Sequence, residues 1–193
     1  CLTKQMHPTN QRLGRFVRGI LQRAAVGQGI PMALGEIVAP PGRGVRHEIA
    51  LAGGSALLID ESYNASPVAV RAALEVLAQV PTCKDGRRIA VLGDMLELGD
   101  TAVAQHIALA ADVERARVDL VFAVGPLMNR LYGQLQTARR GGAAGDARGI
   151  AALLASVVRP GDVVLVKGSR RIGLEAVVDA LATPATARAG KSA

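Results

Sequence analysis

The stretch that decides the fold is Ala56-Leu-Leu-Ile-Asp60-Glu61-Ser62-Tyr63-Asn64-Ala65-Ser66-Pro67. It begins as an apolar run and ends abruptly in two carboxylates, a phenol and an amide. Ser66 followed by Pro67 is typical of the N-cap and first turn of a helix. The pattern predicts a buried strand that delivers polar groups to the carboxyl edge of a sheet, where open α/β folds bind their ligands.

Strand and helix patterns alternate through the rest of the chain. Short, branched apolar runs at 56–60, 88–93, 119–124 and 162–166 are typical of strands buried on both faces. Apolar residues also recur at helical spacing, in the sets Val70, Ala73, Leu74 and Leu77; Ile150, Leu153, Leu154 and Val157; and Leu174, Val177, Val178 and Leu181. Such alternation indicates βαβ units. The predicted fold class is α/β, a three-layer Rossmann-like domain with a mainly parallel sheet flanked by helices.

Three further segments carry local signals. Residues 46–51, followed by Gly53-Gly54, predict a strand that forms a hairpin with residues 56–60. Asp100 predicts the N-cap of a helix that runs to about residue 115. The segment 137–145, TARRGGAAG, predicts a flexible loop.

The chain divides at Pro40-Pro41-Gly42. Residues 1–40 are interpreted as the end of a preceding domain, residues 41–183 as the α/β domain and residues 184–193 as a flexible tail. The chain starts at Cys1 rather than Met, which suggests a fragment.

Composition restricts the class of protein. Aromatic residues make up only 2% of the chain, and the basic residues behind its net charge of +7 are scattered, which disfavours nucleic-acid binding. The two cysteines and three histidines lack the spacing of metal ligands, so no metal site is predicted. Without an apolar run of membrane-spanning length or a signal peptide, the sequence predicts a cytoplasmic protein that does not contact a membrane.

Polar residues follow each predicted parallel strand, at 61–64, 94–95, 125–126 and 167–170. Any single one of these segments could be an ordinary polar loop. Because parallel strands end at the same edge of a sheet, the four together favour a ligand site. The chain contains neither GxGxxG nor a Walker A loop, so it lacks the phosphate cradle of an ATP-hydrolysing enzyme. No catalytic residue is therefore assigned within it.

Three motifs in order resemble one family. They are Asp60-Glu61-Ser62-Tyr63-Asn64-Ala65-Ser66-Pro67, Val91-Leu92-Gly93-Asp94-Met95-Leu96-Glu97-Leu98-Gly99 and Gly161-Asp162-Val163-Val164-Leu165-Val166-Lys167-Gly168-Ser169-Arg170. Together they resemble the C-terminal domain of the Mur ligases, and in particular the member that adds D-alanyl-D-alanine to UDP-N-acetylmuramoyl-tripeptide in peptidoglycan synthesis. The resemblance covers about residues 40–183, and Pro41-Gly42-Arg43 fits the family's domain-junction motif.

The resemblance implies an ATP-dependent, amide-bond-forming ligase of three domains: a UDP-substrate domain, a central P-loop ATPase domain that would end within residues 1–40, and this domain. ATP, with Mg²⁺ bound mainly by the central domain, would phosphorylate the carboxylate of the tripeptide. The amine of D-Ala-D-Ala would then attack the acyl phosphate. This domain would close over ATP and supply the dipeptide site, and it would be inactive without the remaining domains as partners.

The resemblance also implies roles for single residues. Arg43 would contact the ATP phosphates, Glu61 would hold the ribose hydroxyls, and Tyr63 and Asn64 would border the nucleotide. The residues expected near the dipeptide are Asp94, Lys167, Ser169 and Arg170. Glu61 departs from the aspartate that is common in the family, which keeps the charge but lengthens the side chain.

Two alternatives stay open on the sequence. The first is a free-standing α/β nucleotide-binding or regulatory module without catalysis. The second is a response-regulator-like domain with Asp94 as phosphoacceptor. It is the weaker alternative, because the chain does not show both the acidic cluster and the lysine spacing expected of such a domain. An in-frame P-loop upstream of Cys1 would favour the ligase over both.

Overall fold

A computed structural model describes residues 41–83 and 85–182 of the chain. In these residues the chain forms six strands and five α-helices. In chain order they are β1 (Val45–Leu51), β2 (Gly54–Glu61), α1 (Pro67–Gln79), β3 (Arg88–Gly93), α2 (Ala102–Arg115), β4 (Leu120–Val124), α3 (Met128–Gln134), β5 (Arg140–Ala144), α4 (Ala147–Val157), β6 (Val163–Lys167) and α5 (Glu175–Ala182). The interpretations of residues 1–40 and 184–193 lie outside the described residues.

The strands form one sheet in the order β1-β2-β6-β3-β4-β5. Strand β1 is antiparallel to β2, and every other neighbouring pair is parallel, which confirms the predicted fold class. Strand β6 lies between β2 and β3. The three strands that contain the sequence motifs are therefore neighbours in the sheet. In this register Lys167 lies beside Glu61 of β2 on one side and Leu92 of β3 on the other.

Helices cover both faces of the sheet. Ala90 and Leu92 of β3 pack with α1, α2 and α3, whereas Ile89 and Val91 pack with α4 and α5. Since each face of the central strands is buried, these strands show a continuous apolar run rather than an alternating pattern. Full burial of a large aliphatic side chain contributes about 1.5–3 kcal/mol, so these two layers hold the sheet rigid beneath its carboxyl edge.

Most predicted elements are confirmed. The strands predicted at 56–60, 88–93, 119–124 and 162–166 match β2, β3, β4 and β6 within two residues at each end, and the predicted hairpin is the β1–β2 pair. The helical sets face the core, except that Leu153 is 39% exposed. Ser66 caps α1 as expected, because its Oγ accepts a hydrogen bond from the Ala69 amide at 3.3 Å.

The prediction that Asp100 caps a helix is wrong. Residues 99–101 form a 3₁₀ turn, and α2 begins at Ala102 without a side-chain cap. The turn leads directly into the helix, so Asp100 lies within the turn and the N-cap position of α2 is occupied by Thr101. Asp100 is exposed.

The prediction of a loop at residues 137–145 is also wrong. A 3₁₀ turn at Thr137–Arg139 leads into β5, which pairs in parallel with β4. A Cβ atom on Gly141 would lie 2.6 Å from Cε2 of Phe122, and one on Gly142 would collide with Leu153. The strand packs closely because it lacks side chains at these positions, and the same lack removes the apolar pattern by which a strand is recognised.

Candidate functional site

Two clefts open at the carboxyl edge of the sheet. The larger has a volume of about 520 Å³ and is lined by Pro41, Gly42, Arg43, Asp60, Ser62, Tyr63, Arg170, Glu175, Val178 and Asp179. The smaller, of about 350 Å³, is lined by Asn64, Ala65, Ser66, Leu96, Glu97, Leu98, Ser169, Arg170 and Arg171. Arg170 borders both clefts, so the segments that follow β2 and β6 divide one edge into two adjoining sites.

The turn after β2 is fixed by the buried carboxylate of Asp60. Its Oδ2 accepts a hydrogen bond from the Gly42 amide and its Oδ1 from the Ser62 amide, both at 3.0 Å. Gly42 has a φ of +76°, and a Cβ atom there would lie 2.8 Å from Cβ of Tyr63, so only glycine fits this position. These contacts hold Arg43 beside Tyr63. Sequence reasoning assigned no role to Asp60, although its position at the end of an apolar strand marks it as buried.

Two guanidinium groups contact the ring of Tyr63. The Arg43 Cζ is 4.3 Å and the Arg170 Cζ 5.1 Å from the centroid of the ring, and Arg170 Nη1 lies 3.4 Å from the phenol oxygen. Arg43, in contact with the phenol, and Arg170, through its charge, lower the pKa of Tyr63 because they stabilise the phenolate. The structure thus joins two residues predicted for the nucleotide with one predicted for the dipeptide.

Lys167 is buried, although it was predicted to lie near the dipeptide. Its Nζ lies 3.3 Å from Oε2 of Glu61 and donates a hydrogen bond to the backbone oxygen of Asn64 at 2.9 Å. A buried ammonium requires such partners, because transfer out of water is otherwise costly. The Lys167 side chain is 4% exposed and that of Glu61 33%. Lys167 therefore holds two residues of the predicted nucleotide set and lines neither of the two clefts.

Asp94 and Ser169 hold loops together. Oδ1 of Asp94 accepts a hydrogen bond from the Met128 amide at 2.6 Å and Oδ2 one from the Leu127 amide at 3.2 Å. The carboxylate thereby satisfies free amides at the start of α3. The Ser169 amide donates to the Asp94 backbone oxygen at 3.1 Å, and Ser169 Oγ accepts from the Leu96 amide at 3.0 Å. Ser169 lines the smaller cleft and Asp94 does not, and the side chains of both accept hydrogen bonds from backbone amides.

Two glycines let these loops approach each other. A Cβ atom on Gly168 would lie 2.6 Å from Leu174 Cδ1 and 3.1 Å from the Cα of Gly93. The absence of side chains at the ends of β3 and β6 therefore lets Ser169 lie next to Asp94.

His106 is a satisfied core side chain. Its Nε2 accepts a hydrogen bond from the Met95 amide at 2.9 Å, and its Nδ1 lies 2.7 Å from the Ala102 oxygen. Because the amide must donate and the carbonyl must accept, the proton belongs on Nδ1.

Neither a metal centre nor a membrane segment is found in residues 41–83 and 85–182. These residues contain no group of three or more histidine, cysteine, aspartate or glutamate side chains placed to hold a metal ion. None of their helices has the length and apolar character needed to cross a bilayer.

Comparison with protein families identifies a match over most of the α/β domain. The family model described as Mur ligase, glutamate ligase domain, matches residues 46–170. Among curated relatives, the UDP-N-acetylmuramoyl-tripeptide--D-alanyl-D-alanine ligase of Mycobacterium tuberculosis (strain CDC 1551 / Oshkosh) is 36% identical over 162 residues, covering 74% of this chain and 32% of the relative. The enzyme of that name from Escherichia coli (strain K12) is 34% identical over 154 residues, covering 79% of this chain and 32% of the relative.

Solved structures give the same result. The MurF ligase of Thermotoga maritima, in complex with ADP, superposes with a TM-score of 0.66 at 28% identity, covering 88% of this chain and 37% of that one. MurF from Acinetobacter baumannii superposes with a TM-score of 0.64 at 26% identity, covering 77% of this chain and 32% of that one. The chain thus spans about one third of the length of the relatives that it matches.

Proposed function

This chain belongs to the Mur ligase family, and we propose that it is the C-terminal portion of an ATP-dependent ligase that adds D-alanyl-D-alanine to UDP-N-acetylmuramoyl-tripeptide. The relatives that carry this activity in their names are about three times as long as the matched segment. The tripeptide substrate and the P-loop would therefore bind to further domains of the same protein, which are the partners proposed for this one.

The observation that carries the proposal is the convergence of two residue sets at one edge of the sheet. The residues after β2 and those after β6 lie in adjoining clefts, and Arg170 borders both. In such a ligase the same substrate carboxyl group reacts first with the nucleotide and then with the incoming amine. Both must therefore be bound close to it, which two adjoining clefts make possible.

We propose that the nucleotide occupies the larger cleft. Its volume of about 520 Å³ suits a ligand of this size, and the guanidinium of Arg43 suits its phosphates. Tyr63 borders this cleft directly. Lys167 holds Glu61 and Asn64 in place. Glu61, at the end of β2, would hold the ribose hydroxyls, and Asn64, which lines the smaller cleft, would border the nucleotide from that side.

We propose that the dipeptide occupies the smaller cleft, which Ser169 and Arg170 line. A guanidinium suits the carboxylate of a peptide. Asp94 and Lys167 would support this cleft without lining it. Asp94 orients the start of α3, and Lys167 orients the turn after β2.

The reaction proceeds through an acyl phosphate. The γ-phosphoryl group moves from ATP to the tripeptide carboxylate, and ADP is released as leaving group. The dipeptide amine then attacks the carbonyl carbon, the bond to the phosphate oxygen breaks, and the amine loses a proton as the amide forms. When bound, Mg²⁺ neutralises phosphate charge; the described residues of this domain offer no cluster for it, so its ligands are assigned mainly to the central domain.

The contribution of this domain is closure. Once the domain covers the nucleotide, the residues of both clefts orient the two substrates and exclude water, which would otherwise hydrolyse the acyl phosphate. Because ATP and a UDP-linked precursor are the substrates, we place the reaction in the cytoplasm.

The test measures ADP release by the complete protein. We expect release that requires UDP-N-acetylmuramoyl-tripeptide and D-Ala-D-Ala together, and none from the 193 residues alone, because they contain no P-loop. Turnover by the isolated chain would contradict this account. Nucleotide binding by the complete protein without any dipeptide-dependent release would instead favour a non-catalytic nucleotide-binding module.

A further inference from the structure

The contact of Arg43 and Arg170 with one tyrosine ring is unusual for two like charges. Their guanidinium carbons lie 4.3 Å and 5.1 Å from the centroid of the Tyr63 ring. The two arginines are far apart in the sequence: Arg43 precedes β1, and Arg170 lies in the turn after β6. Tyr63 therefore holds together two cations that would otherwise repel each other, through the attraction of each for the aromatic ring.

Neither arginine of this pair belongs to a close ion pair within the described residues. Within the described residues the close ion pairs use Arg71, Arg87, Arg115 and Lys167, whereas Arg43 and Arg170 contact Tyr63 instead. Both arginines are exposed and line the larger cleft. Three acidic residues also line this cleft: Asp60, whose carboxylate accepts hydrogen bonds from the Gly42 and Ser62 amides, and Glu175 and Asp179 of α5. Two guanidinium groups facing one cleft match a ligand with several negative charges better than a single carboxylate.

We propose that Arg43, Tyr63 and Arg170 form a clamp for the polyphosphate of the nucleotide. Arg170, which the sequence assigned to the dipeptide, is then a second phosphate contact, and it links the nucleotide cleft to the smaller cleft that it also borders. This inference rests on the proposed function for the identity of the nucleotide, but the anion site itself follows from the geometry. Tyr63 is the positioning residue of the clamp.

Steady-state kinetics of the complete ligase test the clamp. Arg43→Met and Arg170→Met should each raise the KM for ATP roughly tenfold, the usual effect of losing one charge-assisted phosphate contact. Arg148→Met is the control, since Arg148 is an exposed arginine of α4 that lines neither cleft, and the KM for ATP should stay within about twofold. An unchanged KM for ATP in Arg170→Met would overturn the proposal.

Two tyrosine variants separate positioning from general damage. Tyr63→Phe keeps the ring and should preserve the KM for ATP, whereas Tyr63→Leu removes the ring and should raise it as the arginine variants do. Equal KM values in the two variants would show that the ring does not position the arginines.

A binding experiment separates the clamp from the ligase activity. Titration of the 193-residue chain with inorganic pyrophosphate, followed by amide NMR shifts, should perturb Gly42, Tyr63 and Arg170, and Arg170→Met should weaken the binding several-fold. This result would support the clamp even if the complete protein released no ADP, in which case only the proposed function would fail. Perturbations confined to other parts of the chain would overturn the clamp.

Discussion

At the residue scale, the structure distinguishes polar groups that face a cleft from those that hold the fold. Lys167 and Arg170 are three positions apart in one motif, yet the first is 3% exposed and the second lines both clefts. The difference follows from the strand. Lys167 is the last residue of β6 and lies between two neighbouring strands, whereas Arg170 lies in the 3₁₀ turn beyond the sheet.

The Lys167–Glu61 pair gives a prediction on stability. Lys167→Met should lower the free energy of unfolding of the 193-residue chain by about 2 kcal/mol, because Glu61 and the Asn64 oxygen both lose their donor. Urea denaturation at neutral pH measures this loss.

Glu61→Gln provides the second side of a double-mutant cycle. If the ion pair is stabilising, Lys167→Met and Glu61→Gln together should cost about 1 kcal/mol less than the sum of their separate effects. Strictly additive losses would mean that the two side chains act independently.

At the element scale, β5 shows how a strand forms where its sequence looks like a loop. Its core positions are occupied by glycine, and the side chains of Phe122 and Leu153 fill the space above them. The packing partner of each glycine comes from a different element, β4 or α4. This strand depends on tertiary contacts and not on its own propensity.

The two glycines of β5 should respond differently to alanine. Gly141→Ala places a methyl group 2.6 Å from the ring of Phe122, which is completely buried, and should destabilise the domain by about 2 kcal/mol. Gly142→Ala meets the end of Leu153, which is 39% exposed and free to move, and should cost less than about 1 kcal/mol.

Gly145→Ala is the control for these variants, because a Cβ atom there would meet nothing within 4 Å. Thermal unfolding of the three variants should place Gly141→Ala well below the other two. Three equal melting temperatures would show that Phe122 moves aside at no cost.

At the scale of the whole molecule, the two edges of the sheet differ in how their charges are used. The carboxyl edge exposes Arg43 and Arg170 to a cleft. At the opposite edge, the buried carboxylate of Asp162 accepts hydrogen bonds from the Arg87 guanidinium, at 2.7 Å for Nη2, and from the Arg159 amide, at 2.9 Å. One edge is therefore available to ligands, while the other ties the segments before β3 and β6 together.

Asp162 makes stability depend on pH. Burial disfavours its ionised form, but the hydrogen bonds from Arg87 and Arg159 outweigh burial and lower the pKa of Asp162. A carboxyl whose pKa is lower in the folded state stabilises the fold above its unfolded pKa, near 4, and this contribution is lost as the pH falls through the folded pKa.

Asp162→Asn should therefore reduce the free energy of unfolding by about 2 kcal/mol at pH 7 and by less at pH 3. Urea titrations of the unchanged chain and of Asp162→Asn from pH 7 to pH 3 measure this difference in the free energy of unfolding. Glu114→Gln, at an exposed position, is the charge-matched control. If this difference in free energy stays constant over the range, Asp162 does not make the stability of the fold sensitive to acid.

The sequence by itself determined the fold class, four of the parallel strands, the β1–β2 hairpin and the edge of the sheet at which we propose that ligands bind. These follow from apolar periodicity and from the rule that parallel strands end together, both of which are local or topological properties. The tertiary structure alone decided β5, the role of Asp60 and the separation of Lys167 from Arg170. Those depend on contacts between distant residues, such as Lys167 with Glu61 at a separation of 106 positions and Arg170 with Tyr63 at 107. A residue's type shows which charge it carries, but only its neighbours in space decide whether that charge is already paired or is free to meet a substrate.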